Sequence, residues 1–341
     1  YRGYAIHDLA WTTTFEEVAH LLWFGSLPDQ AELAALQAQF AAQQTIPDPV
    51  MQVLKVLPAS TQPMDALRTA VSAWGALAVS GQPTVEQAIA ITARLPLFLA
   101  AFERLRHQQT PLDPRPELGF AANYLYLLTG RLPQDEHVRA LNTNLVLLAD
   151  HGMNASTFVA RIVASTEADI ASALVAALGA LKGNLHGGAP ARVQAMLQEI
   201  GTLANAEVWL RKALRQGGRL MGFGHRVYKT ADPRSEILRE LARIVDPAGF
   251  AIARSVEELA LALLKELKPE QRLYTNVEYY YTTVMVALGL HRDLFTPTFA
   301  LSRCAGWTAH ILEQVHRNRL IRPDAEYIGP VARSFVPLAE R

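Results

Sequence analysis

The amino-acid sequence predicts an all-α protein, and three observations support that prediction. Apolar residues recur at helical spacing along most of the 341 residues. Strand-like alternation is nearly absent, and neither Asn-Gly nor Asp-Gly, the dipeptides typical of tight hairpins, occurs. Short turns that contain proline or glycine separate the apolar stripes, which is typical of helices joined by short loops.

The first two predicted helices have recognisable starts. Thr14 followed by Glu17 matches the capping box, in which each residue satisfies a free backbone N–H of the other. This helix is predicted to stop near Gly25 and Pro28. Asp29 is expected to cap the second helix, which then presents one apolar face.

The later helices are predicted from apolar stripes between similar turns, which gives about fifteen or more helices in all. The stripes cover residues 64–79, 84–92, 116–129, 135–148, 155–165, 170–181, 190–200, 206–216, 233–245, 255–267, 277–288 and 297–316. Glycine clusters near 183–188 and 217–224, together with the turn at Thr296-Pro297, suggest hinges between a large body and a smaller inserted bundle.

The composition bounds the possible partners and the compartment. Lysine plus arginine equals aspartate plus glutamate, 32 each, so no overall field attracts nucleic acid or an anionic membrane. Anion binding must then come from a few locally placed arginines. The single cysteine excludes an intrachain disulfide and fits a reducing cytoplasm. The longest charge-free apolar run, 170–181, is shorter than the about 18 residues that span a bilayer.

Three segments carry the groups for carbon-acid chemistry. Residues 185–189 and 221–229 each set one histidine, His186 and His225, among glycines, where the backbone can come close to a ligand. Residues 275–278 supply the carboxylate of Glu278. Two imidazoles and a carboxylate can take a proton from carbon and stabilise the resulting oxyanion. Taken singly, each histidine also fits a plain glycine-capped loop or connector.

Two arginines are candidates for binding an anionic ligand. Asp232-Pro233 is a natural helix start, which places Arg234 near the positive end of that helix. Arg303 lies in an otherwise apolar helix. An arginine there either pairs with a buried acid or holds a ligand carboxylate, because burying it unpaired is too costly.

Other site classes are disfavoured. Gly222-Phe223-Gly224 follows no strand and lacks the third glycine of a dinucleotide-binding turn. No Walker lysine and no Gly-x-Ser-x-Gly elbow occurs, which argues against a nucleotide hydrolase or a serine esterase. His310, Glu313 and His316 share a helix face, but no further ligand cluster accompanies them. A structural role is therefore favoured and no metal is predicted.

Taken together, the ordered motifs of the chain resemble those of the citrate synthase family. The matching segments are residues 1–6, 15–19, 151–158, 181–189, 221–234, 295–303 and 320–323. The resemblance covers essentially the whole chain. It implies an all-α homodimer that closes around oxaloacetate and acetyl-CoA, with the CoA thioester as substrate and no further cofactor. The large domain would comprise 1–188 and 295–341, and the small domain 189–294.

The resemblance also implies residue roles. His186 would stabilise the enol or enolate of acetyl-CoA, His225 would polarise the oxaloacetate carbonyl, and Glu278 stands where the family has its base. Oxaloacetate and citrate carboxylates would be held by His151, Arg234 and Arg303, with Arg322 contributed by the partner subunit. CoA would lie against Met221, Gly222, Phe223, Gly224, Lys229 and Arg272.

Several residues depart from the family pattern. Glu278 replaces an aspartate and is one methylene longer, which could displace the carboxylate by about 1 Å and cost on the order of a hundredfold in rate. Pro190, Gly152 and Tyr281 also depart and could reshape the acyl pocket. The expected reaction is condensation of acetyl-CoA with oxaloacetate to give citrate. Condensation of propionyl-CoA to 2-methylcitrate, or a non-catalytic relative that binds CoA or a dicarboxylate, are the alternatives.

Overall fold

Helices provide the regular structure of the protein, as the sequence predicts. The computed structural model describes residues 1–216, 220–224, 232–270 and 273–341. Within these residues the α-helices are α1 Ile6–Thr12, α2 Phe15–Phe24, α3 Gln30–Gln43, α4 Asp48–Val56, α5 Pro63–Ala78, α6 Val85–Arg106, α7 Phe120–Thr129, α8 Asp135–Leu148, α9 Ala155–Ser165, α10 Ile170–Leu181, α11 Ala189–Ile200, α12 Leu203–Arg215, α13 Pro233–Val245, α14 Pro247–Leu267, α15 Val277–Ala287 and α16 Phe295–His316. Short 3-10 helices cover Arg292–Leu294 and Leu338–Glu340.

The helix starts that the sequence marks most clearly are confirmed. The Thr14 side chain accepts a hydrogen bond from the Glu17 N–H, and the Glu17 carboxylate accepts one from the Thr14 N–H. Gly25 ends α2 with a φ of +90°, a left-handed conformation that glycine adopts without strain. Asp29 caps α3 by accepting a hydrogen bond of 2.8 Å from the Glu32 N–H.

Helix α6 shows where the sequence-based prediction is wrong. The predicted segment 84–92 continues through Pro96 to Arg106. A proline inside a helix removes one backbone hydrogen bond and costs about 3 kcal/mol. The neighbouring Leu95 and Leu97 are both buried, and burial of two leucines offsets a penalty of that size. Tertiary packing therefore keeps the helix intact.

Other boundaries also differ from the prediction. Helices α1 and α4 lie outside the predicted segments. Helix α7 begins at Phe120 rather than at 116, and α14 begins at Pro247 rather than at 255. In the second case Asp246 supplies the cap, since its carboxylate accepts a hydrogen bond from the Gly249 N–H.

Two long helices form the centre of the first group of helices. Helix α6 packs against α3, α5, α7 and α16, and α16 packs in turn against α2, α8, α9 and α10. Helix α6 is long and apolar enough to cross a membrane by length and composition alone. However, 72% of its apolar stretch is buried inside the protein, which is the position of a core helix.

Helices α11 to α15 form a second group. Helix α15 packs against α11, α13 and α14, while α12 packs against α14. This group contacts the first group mainly where α13 meets α1 and α8, and where α11 meets α16. The grouping follows the predicted division of the chain at about 188 and 295, although that division stays a prediction.

Candidate active site

A cavity of about 780 Å³ lies between the two groups of helices. It brings together six of the predicted site residues, His151, His186, Gly224, Arg234, Glu278 and Arg303. Its other lining residues are Met153, Asn154, Ala155, Phe158, Leu181, Leu185, Gly187, Pro190, Asn276, Val277 and Phe299. A neighbouring cavity of about 610 Å³ shares His151 and Arg234.

The loop after α10 presents His186 to the cavity. The chain turns back on itself, because the N–H of Gly187 donates to the carbonyl of Leu181 at 2.9 Å. A Cβ atom at position 187 would lie 2.3 Å from that carbonyl oxygen, so only glycine fits. The glycine next to His186 is therefore explained by this close approach.

The His186 ring is fixed by the buried hydroxyl of Ser156. Ser156 Oγ lies 2.8 Å from His186 Nε2 and 2.8 Å from Asn154 Oδ1. The same oxygen accepts a hydrogen bond from Trp307 Nε1 at 3.2 Å. Burial lowers the pKa of His186 to about 4, and the positive charge of Arg303 acts in the same direction. The imidazole is therefore neutral at neutral pH.

Arg303 is a buried cation in the middle of α16, with 2% of its surface exposed. Its Nε donates to the carbonyl of Leu148 at 2.7 Å, and its guanidinium carbon lies 4.8 Å from the centre of the Phe299 ring. Burial lowers its pKa to about 10, so it remains charged at neutral pH. In the described part of the chain no carboxylate lies within 4.0 Å of it. Of the two roles that the sequence allows, a ligand carboxylate is favoured.

Arg234 lies at the start of α13, where the sequence predicts it. The Asp232 carboxylate caps the helix by accepting from the Arg234 N–H at 3.0 Å. It also accepts from Arg234 Nε and Nη2 at 3.1 and 2.8 Å. Both residues are buried. This pairing fixes the direction of the guanidinium, which lines both cavities together with His151.

The glycine segment 222–224 is joined to the start of α15. The N–H of Gly224 donates to the carbonyl of Tyr274 at 2.7 Å, and the N–H of Asn276 donates to the carbonyl of Gly222 at 2.9 Å. Phe223 and Thr275 form an isolated antiparallel bridge between them. The segment and the helix start therefore form one unit.

Glu278 is the second residue of α15. Its N–H donates to the side-chain oxygen of Asn276, the N-cap, at 3.1 Å. Its Oε2 atom is buried and has no hydrogen-bond partner among the described residues. Burial raises the pKa of this carboxyl, while the nearby charge of Arg234 partly opposes the shift. Among the described residues, one oxygen of this carboxyl group therefore has no hydrogen-bond partner, and the pKa of the group is raised.

Several predicted residues are not at the cavity or cannot be located. His225, Lys229 and Arg272 lie outside the described residues, so their roles stay predictions. Met221, Gly222 and Phe223 lie beside the cavity-lining Gly224. Arg322 lies in the extended segment after α16, 76% of its side chain is exposed, and its nearest acid is Asp324 at 3.8 Å.

The sequence reasoning missed Ser156, Phe299 and Trp307. Ser156 lies inside the segment 151–158 that the reasoning singled out, two residues after a capping Asn154. Phe299 precedes Arg303 by four residues, a spacing that places both on the same face of α16. Helical spacing could therefore have indicated Phe299, whereas the contact of Trp307 with α9 depends on how two distant helices pack.

His310 and Glu313, which the sequence left as a weak metal candidate, have other partners. His310 Nε2 lies 3.2 Å from Asp150, and Arg161 Nη1 lies 3.0 Å from His310 Nδ1. The same arginine contacts Glu313 at 2.6 Å. Of these contacts, the one between His310 and Asp150 reaches the turn that precedes His151 at the cavity.

Comparisons with known proteins agree with this geometry. The family described as "Citrate synthase, C-terminal domain" matches residues 1–324. "Citrate synthase 2" of Bacillus subtilis is 43% identical over 100% of this chain and 93% of its own length. A 2-methylcitrate synthase of Shewanella oneidensis is 36% identical over 100% of this chain and 91% of its own. A citrate synthase of Thermoplasma acidophilum, solved with carboxymethyl coenzyme A and oxaloacetate, has a TM-score of 0.92 at 33% identity, over 99% of this chain and 92% of its own.

Proposed function

The chain belongs to the citrate synthase family, and we propose that it condenses acetyl-CoA with oxaloacetate and hydrolyses the resulting citryl-CoA to citrate and CoA. One observation carries this proposal. The carboxylate of Glu278, the imidazole of His186 and the guanidinium of Arg303 line the same cavity. These are a base, a hydrogen-bond donor for an oxyanion and a cation for a carboxylate, which is the set that the condensation needs.

Glu278 is the proposed base. A methyl group next to a thioester is a very weak acid, so its proton can be removed only while the enolate is being stabilised. The raised pKa of Glu278 makes its ionised form a stronger base than an exposed carboxylate. Its buried Oε2, which has no partner in the described structure, is available for the proton.

His186 is the proposed donor to the enolate oxygen. Ser156 has one hydroxyl proton and two acceptors within 2.8 Å, Asn154 Oδ1 and His186 Nε2. If Ser156 donates to Nε2, the neutral ring carries its own proton on Nδ1 and can donate it to the thioester oxygen. The proposed role requires this tautomer, in which the single hydroxyl proton of Ser156 goes to His186 Nε2 instead of Asn154 Oδ1. The low pKa of about 4 keeps the ring neutral.

Oxaloacetate is a dianion, and the proposal assigns its carboxylates to Arg303, Arg234 and His151. Arginine suits this task because its planar fork forms two parallel hydrogen bonds with a carboxylate. His225 is assigned to the keto oxygen from the family resemblance. Once the enolate carbon has attacked the keto carbon, water hydrolyses the thioester and releases CoA.

The proposed assembly is a homodimer in the cytoplasm, without a metal. Arg322 lies in the segment 317–341, which leaves the body of the protein after α16 and is mostly exposed. That course supports a role at the site of a second subunit rather than at its own. The domains 1–188 with 295–341 and 189–294 would close on CoA at Met221 to Gly224, Lys229 and Arg272, which excludes water from the enolate.

The proposal also concerns which acyl-CoA, acetyl-CoA or propionyl-CoA, is the substrate. Relatives of both kinds, citrate synthases and 2-methylcitrate synthases, match the whole chain. Tyr281, which departs from the family pattern, lies behind Phe299 with ring centres 6.0 Å apart, and its hydroxyl donates to the Phe295 carbonyl. It therefore affects the cavity only through Phe299. We propose acetyl-CoA as the substrate and propionyl-CoA as the alternative.

Release of free thiol, followed spectrophotometrically, tests the proposal. Wild-type protein with oxaloacetate should turn over acetyl-CoA with a higher kcat/KM than propionyl-CoA. Glu278→Gln should lose about 10²- to 10⁴-fold in kcat, the usual contribution of a general base. Glu240→Gln, which alters an exposed acid paired with Arg243, is the matched control and should retain activity. Tight binding of both substrates without thiol release would contradict the proposal and favour a non-catalytic binding protein.

A further inference from the structure

The second group of helices contains a buried carboxylate that the proposed reaction does not use. Glu257 lies in α14 and its side chain is fully buried. Its Oε1 accepts hydrogen bonds from Thr275 Oγ1 at 2.5 Å and Arg239 Nη2 at 2.8 Å. Its Oε2 accepts from Tyr280 OH at 2.5 Å and Arg254 Nη1 at 2.8 Å. Both oxygens therefore have two donors each, which fills the usual capacity of a carboxylate.

These four donors come from separate parts of the chain. Arg239 belongs to α13, Arg254 to α14 and Tyr280 to α15, while Thr275 precedes the cap of α15. Glu257 therefore links α13, α14 and α15, including the residue just before the cap of α15, through hydrogen bonds to one carboxylate. Both oxygens of the Glu257 carboxylate are paired in a medium of low dielectric constant, which strengthens these hydrogen bonds.

Thr275 links this network to the cavity. It pairs with Phe223 through the isolated bridge, and the next residue, Asn276, caps α15 and accepts from the N–H of Glu278. Glu278 lies three residues beyond Thr275 and has no side-chain hydrogen bond that would orient its Oε2 in the described structure. The position of its carboxylate therefore depends on where α15 begins.

We propose that Glu257 is a positioning residue for the base: through the hydroxyl of Thr275 it fixes the start of α15 and hence the distance from the Glu278 carboxylate to the acyl methyl group. The inference rests on the proposed function of Glu278. It also gives a physical reason why a glutamate could serve as the base where the family has an aspartate. The side chain of Glu278 is one methylene longer, so its backbone must be held in a fixed position for the carboxylate to reach the acyl methyl group. A displacement of 1 Å at a reacting group costs on the order of a hundredfold in rate.

The test is Thr275→Val, which keeps the shape of the side chain and removes the hydrogen bond to Glu257. We expect kcat to fall about tenfold, since the displacement should be less than 1 Å. Proton removal should become more rate-limiting, so the deuterium isotope effect on kcat/KM with trideuterated acetyl-CoA should increase. The KM for oxaloacetate should change less than kcat, because Arg303 and His151 lie on the other group of helices and Arg234 is held by Asp232 rather than by Thr275. Thr275→Ser, which keeps the hydroxyl, should restore both quantities.

Thr308→Val is the matched control for a general loss of stability. Thr308 is buried in α16 and accepts a hydrogen bond from Trp23 Nε1 at 2.8 Å, outside the cavity. This variant should unfold at a lower temperature with an unchanged isotope effect. If Thr275→Val behaves in the same way, or if its serine counterpart does not restore the rate, the inference is overturned. Absence of turnover in the wild type would instead overturn the proposed function, and this inference with it.

Discussion

The two sides of the cavity hold their chemical groups by different means. On the side of α9, α10 and α16, the His186 ring is hydrogen-bonded with Ser156, and the Arg303 side chain donates to the Leu148 carbonyl. On the side of α15, the Glu278 carboxylate has a buried oxygen with no partner in the described structure, and only its backbone is fixed. Groups that bind can be fixed by contacts that persist through the reaction, whereas a base must keep an oxygen free for the proton it takes.

The largest effect is expected on the side of α9, α10 and α16, where the proposed cation for the oxaloacetate carboxylate is changed. Arg303→Lys keeps the charge but removes the planar fork and the hydrogen bond from Nε to the Leu148 carbonyl. Hydrogen bonds to charged groups contribute about 1.5–3 kcal/mol each, so the KM for oxaloacetate should rise by roughly a hundredfold. The KM is measured by thiol release at saturating acetyl-CoA.

A second arginine on the same side provides the control for Arg303. Arg161 of α9 contacts Glu313 and His310 and does not line the cavity. Arg161→Lys keeps the positive charge beside Glu313 and alters no residue of the cavity lining, so it should leave the KM for oxaloacetate within about twofold of wild type. An equal rise in both variants would mean that the effect reflects the packing around α16 rather than binding of a carboxylate.

A smaller effect is expected when the support of a site residue is removed. Ser156→Ala deletes the hydrogen bond to His186 Nε2 and leaves the ring free to change tautomer. We expect kcat to fall about tenfold, which corresponds to one neutral hydrogen bond of about 1.4 kcal/mol in the transition state. The KM for oxaloacetate should change less than kcat, because Arg303 is untouched.

Ser165 lies at the other end of α9 and is the matched serine. It is also buried, and its hydroxyl donates to the Ile162 carbonyl. Its hydroxyl also accepts from the N–H of Ile321, next to Arg322. Assayed at saturating oxaloacetate, Ser165→Ala should therefore cost stability without lowering kcat. If both alanine variants lose kcat equally, Ser156 acts only as a part of the helix and not through His186.

The sequence was most informative for features that depend on residues close to one another in the chain. A capping box predicts the start of α2 and Asp29 predicts the start of α3, because both signals depend on residues within one turn of each other. The glycines around His186 predict a close backbone approach to a ligand, and the structure shows such an approach to the Leu181 carbonyl. The cavity residues His186, Arg303 and Glu278 were found for the same reason. Each stands in a local setting that is unusual for its residue type.

Features that depend on packing could not be predicted in this way. Helix α6 runs through Pro96 because distant helices bury its surroundings, and no local pattern reports that burial. Three of the four partners of Glu257 lie far from it in the sequence, on α13 and around the start of α15, so the local pattern around Glu257 gives no sign of them. Long-range hydrogen-bond networks of this kind become visible only in three dimensions.

The smallest effect is expected on the thermal stability of the protein, and it tests whether the Glu278 carboxylate lacks a stabilising partner. Because burial raises the folded-state pKa of Glu278, the folded protein keeps this proton over a pH interval in which the unfolded chain has lost it. The contribution of Glu278 to the free energy of unfolding therefore falls as the pH rises from the ordinary value of 4.5 through the folded pKa. Above the folded-state pKa, the folded protein bears the full free-energy cost of burying the charged carboxylate of Glu278.

Glu278→Gln removes this cost together with the base. At pH 7 to 8 the variant should unfold at a temperature roughly a few degrees higher than the wild type, although it is catalytically impaired. The difference in Tm should shrink as the pH is lowered below 4.5, where the wild-type carboxyl becomes protonated in both states. Scanning calorimetry of the two proteins across this pH range measures it. A wild type that is more stable than the variant at neutral pH would show that the carboxylate has a stabilising partner, and the contrast between the two sides of the cavity would then be wrong.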